Sequence, residues 1–347
     1  MATLDIITIG TATRDVFIES KLFKVLHDPK HLERLGFKTG EAQCFALGAK
    51  IEVGRPTLAF GGGAMNAAVT FGRQGFKTGA LITIGDDENG DAILGALARE
   101  KVASLAAIDR KKGTAYSVIL LSPSGERTIL AYRGASEDLS KREVAPTKLQ
   151  AKAAYVVPGA IPLPVIAGAV RALKKRGALI AMNPSAHYLS LGAKKLAPLL
   201  RAIDVIIMNR EEAAYLTGEK FEHERKIFKK FDRMVPGLAV MTDGPNGVMV
   251  SDGKTIYSAG VYPDQKVMNR TGAGDAFGSG FVAGLLQYGA TPGKVSDDAV
   301  RYAIRLASAN ATGVVEGMGA QAGILTKHRF ETERRWRDFK ITARSLE

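Results

Sequence analysis

The 347-residue sequence contains one cysteine, Cys44. It therefore has no internal disulfide framework and no cysteine-built zinc site, and a lone thiol suits a reducing compartment. It also lacks a long uninterrupted apolar run. The most apolar stretch, Tyr155 to Leu173, is broken by Pro158, Pro162, Pro164 and Arg171 and makes a poor membrane span. The opening residues, MATLDIITIG, carry Asp5 and no basic flank of the kind a secretion signal needs. A soluble, cytoplasmic protein is expected. No internal repeat, low-complexity tract or Pro/Gly linker divides the chain. With 46% hydrophobic and 24% charged residues the composition excludes disorder, collagen and coiled coil, and the length allows one large domain or two modest ones.

Acidic residues are in deficit, 35 against 48 Lys and Arg, a net charge of +13. Such an excess can mark a nucleic-acid binder. Here it is spread along the chain without interleaved aromatics, with one dense patch at Lys327, Arg329, Arg334, Arg335, Arg337, Lys340 and Arg344. That patch reads as a solvated, partly frayed terminal helix, and the charge as a general pull on anionic substrates, with neither nucleic acid nor membrane as partner.

What is present is an alternation. Asp5–Ile9 reads as a buried strand closed by Gly10, Ala64–Arg73 as a helix, and Thr78–Ile84 as a strand followed by Gly85-Asp86-Asp87. Ala92–Glu100 reads as a helix. Further on come a helix at Val165–Arg176 and strands at Ala178–Met182, Val205–Met208 and Leu238–Met241. Strands alternating with helices predict a mostly parallel sheet covered on both faces. Two regions break this rhythm. Ile18–Phe60 offers a helix near Pro29–Leu35 and paired strands at Cys44–Val53 and Thr57–Phe60. Thr114–Leu121 and Glu126–Tyr132 flank Ser122-Pro123-Ser124-Gly125, a hairpin signal. Residues 18–60 and 113–134 are therefore expected to form a small β lid inserted in an α/β body made of 1–17, 61–112 and 135–347.

Two glycine turns carry the chemistry. Asn269-Arg270-Thr271-Gly272-Ala273-Gly274-Asp275 runs into a helix rich in small residues. The glycines allow a close ligand approach, and the helix start aims free N–H groups at one spot, which suits a developing phosphate charge. Asp275 is either the cap of its helix or a proton acceptor beside that anion hole. Phe60-Gly61-Gly62-Gly63-Ala64-Met65-Asn66 likewise joins a strand to a helix, with Asn66 offering both donor and acceptor. Gly61-x-Gly63-x-x-Asn66 approaches the dinucleotide fingerprint but lacks its third glycine, and the phosphate loop G-x-x-x-x-G-K-[ST] is absent.

Together these turns resemble the ribokinase-like (PfkB) family of carbohydrate and nucleoside kinases, over nearly the whole chain. Gly10 with Asp15, Gly85-Asp86-Asp87 with Gly90, Asn183-Pro184, Asn209-Arg210-Glu211-Glu212, Thr242-Asp243-Gly244-Pro245-Asn246-Gly247 and Gly319-Ala320-Gln321 fall in the family's order. The resemblance implies a ribokinase-like fold and transfer of the γ-phosphoryl of ATP to a hydroxyl of a sugar or nucleoside, with sugar phosphates as the alternative acceptor and a non-catalytic binding protein as another. Asp275 would be the base, and the N–H groups of Gly272, Ala273 and Gly274 the anion hole. Asp15, Gly62, Gly63, Asn66 and Arg133 would hold the acceptor. Asn183, Asn209, Glu212, Thr242, Gly244, Gly247 and Asn310 would line the nucleotide, with magnesium on waters tied to Glu212 and Asn209. Asn269 and Thr271 would offer a monovalent-cation site, but Asn269 stands where the family usually has Asp, so potassium activation is expected to be weak.

Arg270 and Gly63 also depart from the family pattern, Gly63 standing where ribokinases often have Lys. Arg270 either faces solvent or adds charge near a phosphate. Phe17, Phe45, Phe60, Tyr116 and Tyr132 either stack on a nucleobase or form the core of the small sheet. Arg14, Arg55 and Arg133 either grip a sugar phosphate or lie on the surface. A lone hairpin is marginal in water, so the lids are expected to pair two subunits into a homodimer.

Overall fold

The computed structural model describes residues 3–37, 40–122, 127–263, 267–268 and 270–346. Among them, ten strands form one sheet. Its order is Ile341–Ser345, Thr255–Ala259, Val248–Ser251, Leu238–Thr242, Val205–Asn209, Leu179–Met182, Ala151–Val157, Leu4–Gly10, Thr78–Leu81 and Ala103–Ser104. From Leu238–Thr242 to Ala103–Ser104 neighbours run parallel; the strands from Leu238–Thr242 out to the C-terminal edge are antiparallel. The central strands are apolar on both faces. Ile7 and Ile9 pack with Ile180, Ile206 and the helix Leu163–Lys174 on one side. Ile6 packs with Tyr155, Ile207 and the helices Gly63–Arg73, Ala273–Gln287 and Asp297–Val315 on the other. A strand's alternating side chains thus feed two cores, as a covered parallel sheet requires.

The small-residue run after Asp275 forms the helix Ala273–Gln287, and the small residues let it lie close to its neighbours. A β-carbon at Gly284 would stand 2.5 Å from Ala303 Cα, and one at Gly278 would stand 2.2 Å from the Tyr155 hydroxyl.

The second sheet, the one expected as a lid, has four strands ordered Arg127–Tyr132, Tyr116–Leu121, Thr13–Glu19, Thr57–Gly61. The hairpin strands are therefore where the sequence places them, while Pro123, Ser124, Gly125 and Glu126 of its turn lie outside the described residues. The lid starts earlier than expected. Thr13–Glu19 belongs to it, bridging the hairpin to Thr57–Gly61, so Asp15 is a lid residue and the body contributes only the strand Leu4–Gly10 before it.

Cys44–Val53 is not a strand. Glu41–Cys44 pairs with Lys24–His27, and residues 45–56, punctuated by Gly48, Gly54 and Pro56, run without regular structure to Thr57. The expected strand Thr78–Ile84 divides at Ile82, its second half Thr83–Gly85 pairing instead with Ala107–Asp109.

The basic C-terminus is a fourth difference. The helix there is short, Lys327–Thr332, followed by one 3-10 turn at Arg334–Trp336. Trp336, 1% exposed against Tyr262, then anchors the chain, and Ile341–Ser345 closes the sheet as an edge strand. Three of its arginines pair within the fold, Arg329 with Glu333, Arg335 with Glu316 and Arg344 with Glu224.

Candidate active site

The first glycine turn joins the lid to the body. Gly62 caps the helix Gly63–Arg73 at φ +88°, a conformation that suits glycine, and a β-carbon there would lie 2.5 Å from the Thr11 carbonyl oxygen. A β-carbon at Gly61 would lie 2.1 Å from Asp15 Oδ2. One at Gly63 would lie 2.3 Å from Val157 Cγ1 and 3.2 Å from Asp275 Oδ1. The turn is bare so that two carboxylates, one from the lid and one from the body, can approach its backbone. One turn into the helix, Asn66 is 3% exposed and directed at the same place.

Opposite stands the second turn. Gly272, at φ +81°, packs against Ala320 and caps the helix that begins at Ala273. Gly274 is exposed, and a β-carbon there would meet nothing within 4 Å. Asp275 Oδ2 accepts a 2.9 Å hydrogen bond from Asn66 Nδ2, and Asn66 Oδ1 accepts one from Gln321 Nε2 at 2.9 Å. Burial raises the Asp275 pKa above the usual carboxylate range, and the Asn66 N–H partly offsets this. The buried Tyr155 hydroxyl, held well above its usual value first by burial and then by the nearby Asp275 charge, adds no cation. The hydrogen bond described for the Asp275 carboxylate is the one from Asn66, across from its own helix. Its backbone carbonyl is fixed by Ser279 Oγ at 2.6 Å.

Beside this turn opens a cleft of about 290 Å³, lined by Thr242, Gly244, Gly247, Val261, Ala273, Gly274, Phe277 and Thr312. Its walls are largely apolar. Arg270 also lines it, the one charged side chain among the described lining residues, so it faces the cleft rather than open solvent alone. The cleft brings the expected Thr242, Gly244 and Gly247 together with the Asp275 turn.

Other expected residues lie elsewhere or do other work. Asp15, on the central strand Thr13–Glu19 of the small sheet, is 6% exposed and bonded by Thr13 Oγ1 at 3.0 Å; burial pushes its pKa up, opposed by hydrogen bonds from Thr13 and Ser117. Ser117 is a partner that sequence reading missed, since only the lid register sets it opposite Asp15. Asn209 and Glu212 form a reciprocal helix cap, at 2.8 Å and 3.0 Å, and burial raises the Glu212 pKa. Asn183 Nδ2 donates to the Ile207 carbonyl at 2.8 Å.

Asn310, expected at the nucleotide, is fully buried behind the helix Ala273–Gln287. It holds the carbonyl of Ala276 at 2.8 Å and the N–H of Leu325 at 2.9 Å, so its amide is consumed by the fold. Arg133 is exposed, directly after the hairpin strand Arg127–Tyr132. Asp87 caps the helix Glu88–Arg99 and binds Thr114 N and Oγ1 at the root of the hairpin. Thr271 is half-buried beside Gly272, and Asn269 lies outside the described residues. Of the lid aromatics, Phe17 is 3% exposed, whereas Phe45 and Tyr132 are exposed.

Comparison with known proteins matches the pfkB family carbohydrate kinase model over residues 35–327. A ribokinase of Haemophilus influenzae is 29% identical over 279 residues, 78% of this chain and 85% of that protein. An ATP-dependent ribose-1-phosphate kinase of Halopiger xanaduensis is 27% identical over 66% of this chain and 74% of its own length. Among solved structures, the ribokinase of Giardia lamblia superposes with a TM-score of 0.76 at 20% identity, covering 95% of this chain and 98% of that one. An adenosine kinase from Sinorhizobium meliloti does so at 0.74 and 22%, over 95% and 99%. These structural likenesses establish the ribokinase fold, and the match of the family model over most of the chain places this protein in the pfkB family of carbohydrate kinases.

Proposed function

We propose that this sugar or nucleoside kinase transfers the γ-phosphoryl group of ATP to a hydroxyl of an uncharged sugar or nucleoside, with Asp275 as the general base. One observation carries the reading: a half-buried carboxylate, held by Asn66 from a second helix, stands at a helix start beside an apolar cleft. Burial lifts its proton affinity toward that of a useful base, while the carboxylate stays an acceptor for the hydroxyl proton. The N–H groups of Gly272, Ala273 and Gly274 supply the charge stabilisation that phosphoryl transfer demands. Magnesium supplies neutralisation of the phosphates when bound. It would come in on the nucleotide, its waters held by the Glu212 oxygen not used in the helix cap and by Asn209.

An uncharged acceptor is favoured by where the arginines lie. Arg14 neighbours Asp15 on one strand, so the two side chains leave opposite faces, and the Arg14 guanidinium sits 4.4 Å over the Phe60 ring. Arg55 and Arg133 are exposed. Asp15 with Ser117 suits sugar hydroxyls instead. The lid also leaves Leu58, Ile129, Leu130 and Tyr132 exposed, which supports pairing of two lids in a homodimer.

The test is an ATP-consumption screen with magnesium over free sugars, nucleosides and sugar phosphates. Turnover of a neutral acceptor is the expected result. Turnover confined to phosphorylated acceptors would overturn the acceptor reading, and ATP-independent binding alone would overturn the transfer.

A further inference from the structure

The segment 319–325 touches the small sheet and both helices that open at the glycine turns. Gly319 lies against Ala59 and Phe17 of the lid, and Ala320 fills the space beside Gly272. The Gln321 carbonyl accepts a 2.9 Å bond from Arg73 Nη1, which also holds the Ile324 carbonyl at 2.9 Å, while Glu100 grips the same arginine at 2.6 Å. The backbone of Gln321 is thus fixed, and its side chain has one polar task in view: Nε2 donates to Asn66 Oδ1 at 2.9 Å.

An asparagine amide can be turned end for end at little steric cost, so what faces Asp275 depends on what holds the other end. An N–H facing a carboxylate is a charge-assisted bond; a carbonyl facing it is repulsive. Asn66 is 3% exposed, and water is largely excluded from taking over.

We propose that Gln321 is a positioning residue for phosphoryl transfer: by donating to Asn66 Oδ1 it keeps the amide N–H of Asn66, and not its carbonyl, toward the carboxylate of Asp275. The inference rests on Asp275 being the base. Facing Asp275 are Asn66 from the helix Gly63–Arg73 and Tyr155 from the strand Ala151–Val157, whose buried hydroxyl stays protonated. Asp15, across Gly61, and Arg270, in the cleft, are the other ionisable groups of the site, and neither is hydrogen-bonded to Asp275 in the structure. Loss of the Asn66 N–H removes the interaction that lowers the Asp275 pKa, so the pKa rises. A base works deprotonated, so the acid limb of kcat moves to higher pH.

The experiment is a pair of readouts on the full chain carrying Gln321→Met, a neutral side chain of similar length that donates nothing. The first is the titration midpoint of Asp275 by carboxyl-¹³C NMR without substrate, its resonance identified with Asp275→Asn. The second is kcat against pH with an acceptor from the screen. Both the midpoint and the limb are expected to rise together by about one pH unit, roughly tenfold less turnover below the limb, with the KM for ATP and the Tm little changed.

Gln321→Glu, which accepts where Gln donates, reverses Asn66 outright and moves both further. An unmoved midpoint in Gln321→Met overturns the proposal, as does a shift seen only in Gln321→Glu, which is plain charge repulsion. Gln321→Leu gives the same reading if the Met variant fails to fold. Normal turnover in Asp275→Asn would remove the base assignment, while the NMR midpoint still decides whether Gln321 orients Asn66.

Discussion

At Gly61, Gly62 and Gly63 a β-carbon would meet Asp15, Thr11 or Val157 at 2.1, 2.5 and 2.3 Å, whereas at Gly274 it would meet nothing within 4 Å. Both turns are glycine-rich and both open a helix over the same site. In the first, glycine makes room for the protein's own groups: the lid carboxylate, the loop backbone and the sheet. In the second, Gly272 likewise makes room for Ala320, but at Gly274 the absent side chain leaves space at the mouth of the cleft, where a ligand's phosphates would approach the helix start. The glycines of the two turns thus have two physical causes, and only the one at Gly274 would concern a ligand directly.

This contrast can be broken by substitution. The largest expected effect is Gly62→Ala, which must adopt φ +88° and displace the Thr11 carbonyl. It should cost roughly 2–4 kcal/mol of stability, read from the denaturant midpoint. Gly274→Ala should do the reverse. Stability should change by less than about 0.5 kcal/mol, while kcat/KM for ATP falls about tenfold or more, equivalent to at least ~1.4 kcal/mol of transition-state stabilisation. Equal losses of stability in the two variants would erase the distinction.

The neighbouring Arg270 sharpens the second turn further. As the charged group in an otherwise neutral cleft wall, it should contribute to holding the donor's phosphates, and Arg270→Gln should raise the KM for ATP about tenfold with a smaller change in kcat. An unchanged KM would put Arg270 in solvent. The smallest effect belongs to potassium. Asn269 brings no charge to its turn, so omitting the ion should change the rate by less than about tenfold, or ~1.4 kcal/mol of coupling, and a collapse of activity without it would show that neutral oxygens suffice.

Much of this was legible in the sequence because it is local. The alternation of Asp5–Ile9, Ala64–Arg73 and the later strands is a matter of side-chain period, and both glycine turns are contiguous strings. The same locality misled at Cys44–Val53, where apolar content suggested a strand that Gly48, Gly54 and Pro56 interrupt, and at the C-terminus. There charge suggested a frayed helix, but Trp336 and the free edge of Thr255–Ala259 draw the chain into the sheet.

The site's connections are the part that local reading could not supply. Gln321 meets Asn66 across 255 positions, and Asn66 meets Asp275 across 209. Asn310 is polar and sits in a helix that flanks the cleft, so it reads as a ligand group, yet its described partners are two backbone groups and the Thr70 hydroxyl, all part of the fold. Asn209 and Glu212, three apart, carry the spacing of a helix cap as well as that of the family motif, and the structure shows the cap being used. Arg270 could not be aimed from sequence, because only the folded turn determines that it borders the cleft.

The most direct test of the account is Asp275→Asn, measured for kcat and for ATP affinity in the same preparation. The substitution keeps the size of the side chain and removes only its capacity to take a proton. The account predicts a kcat lower by at least about 10², with ATP bound as tightly as by the parent enzyme. Near-normal turnover in that variant would contradict it.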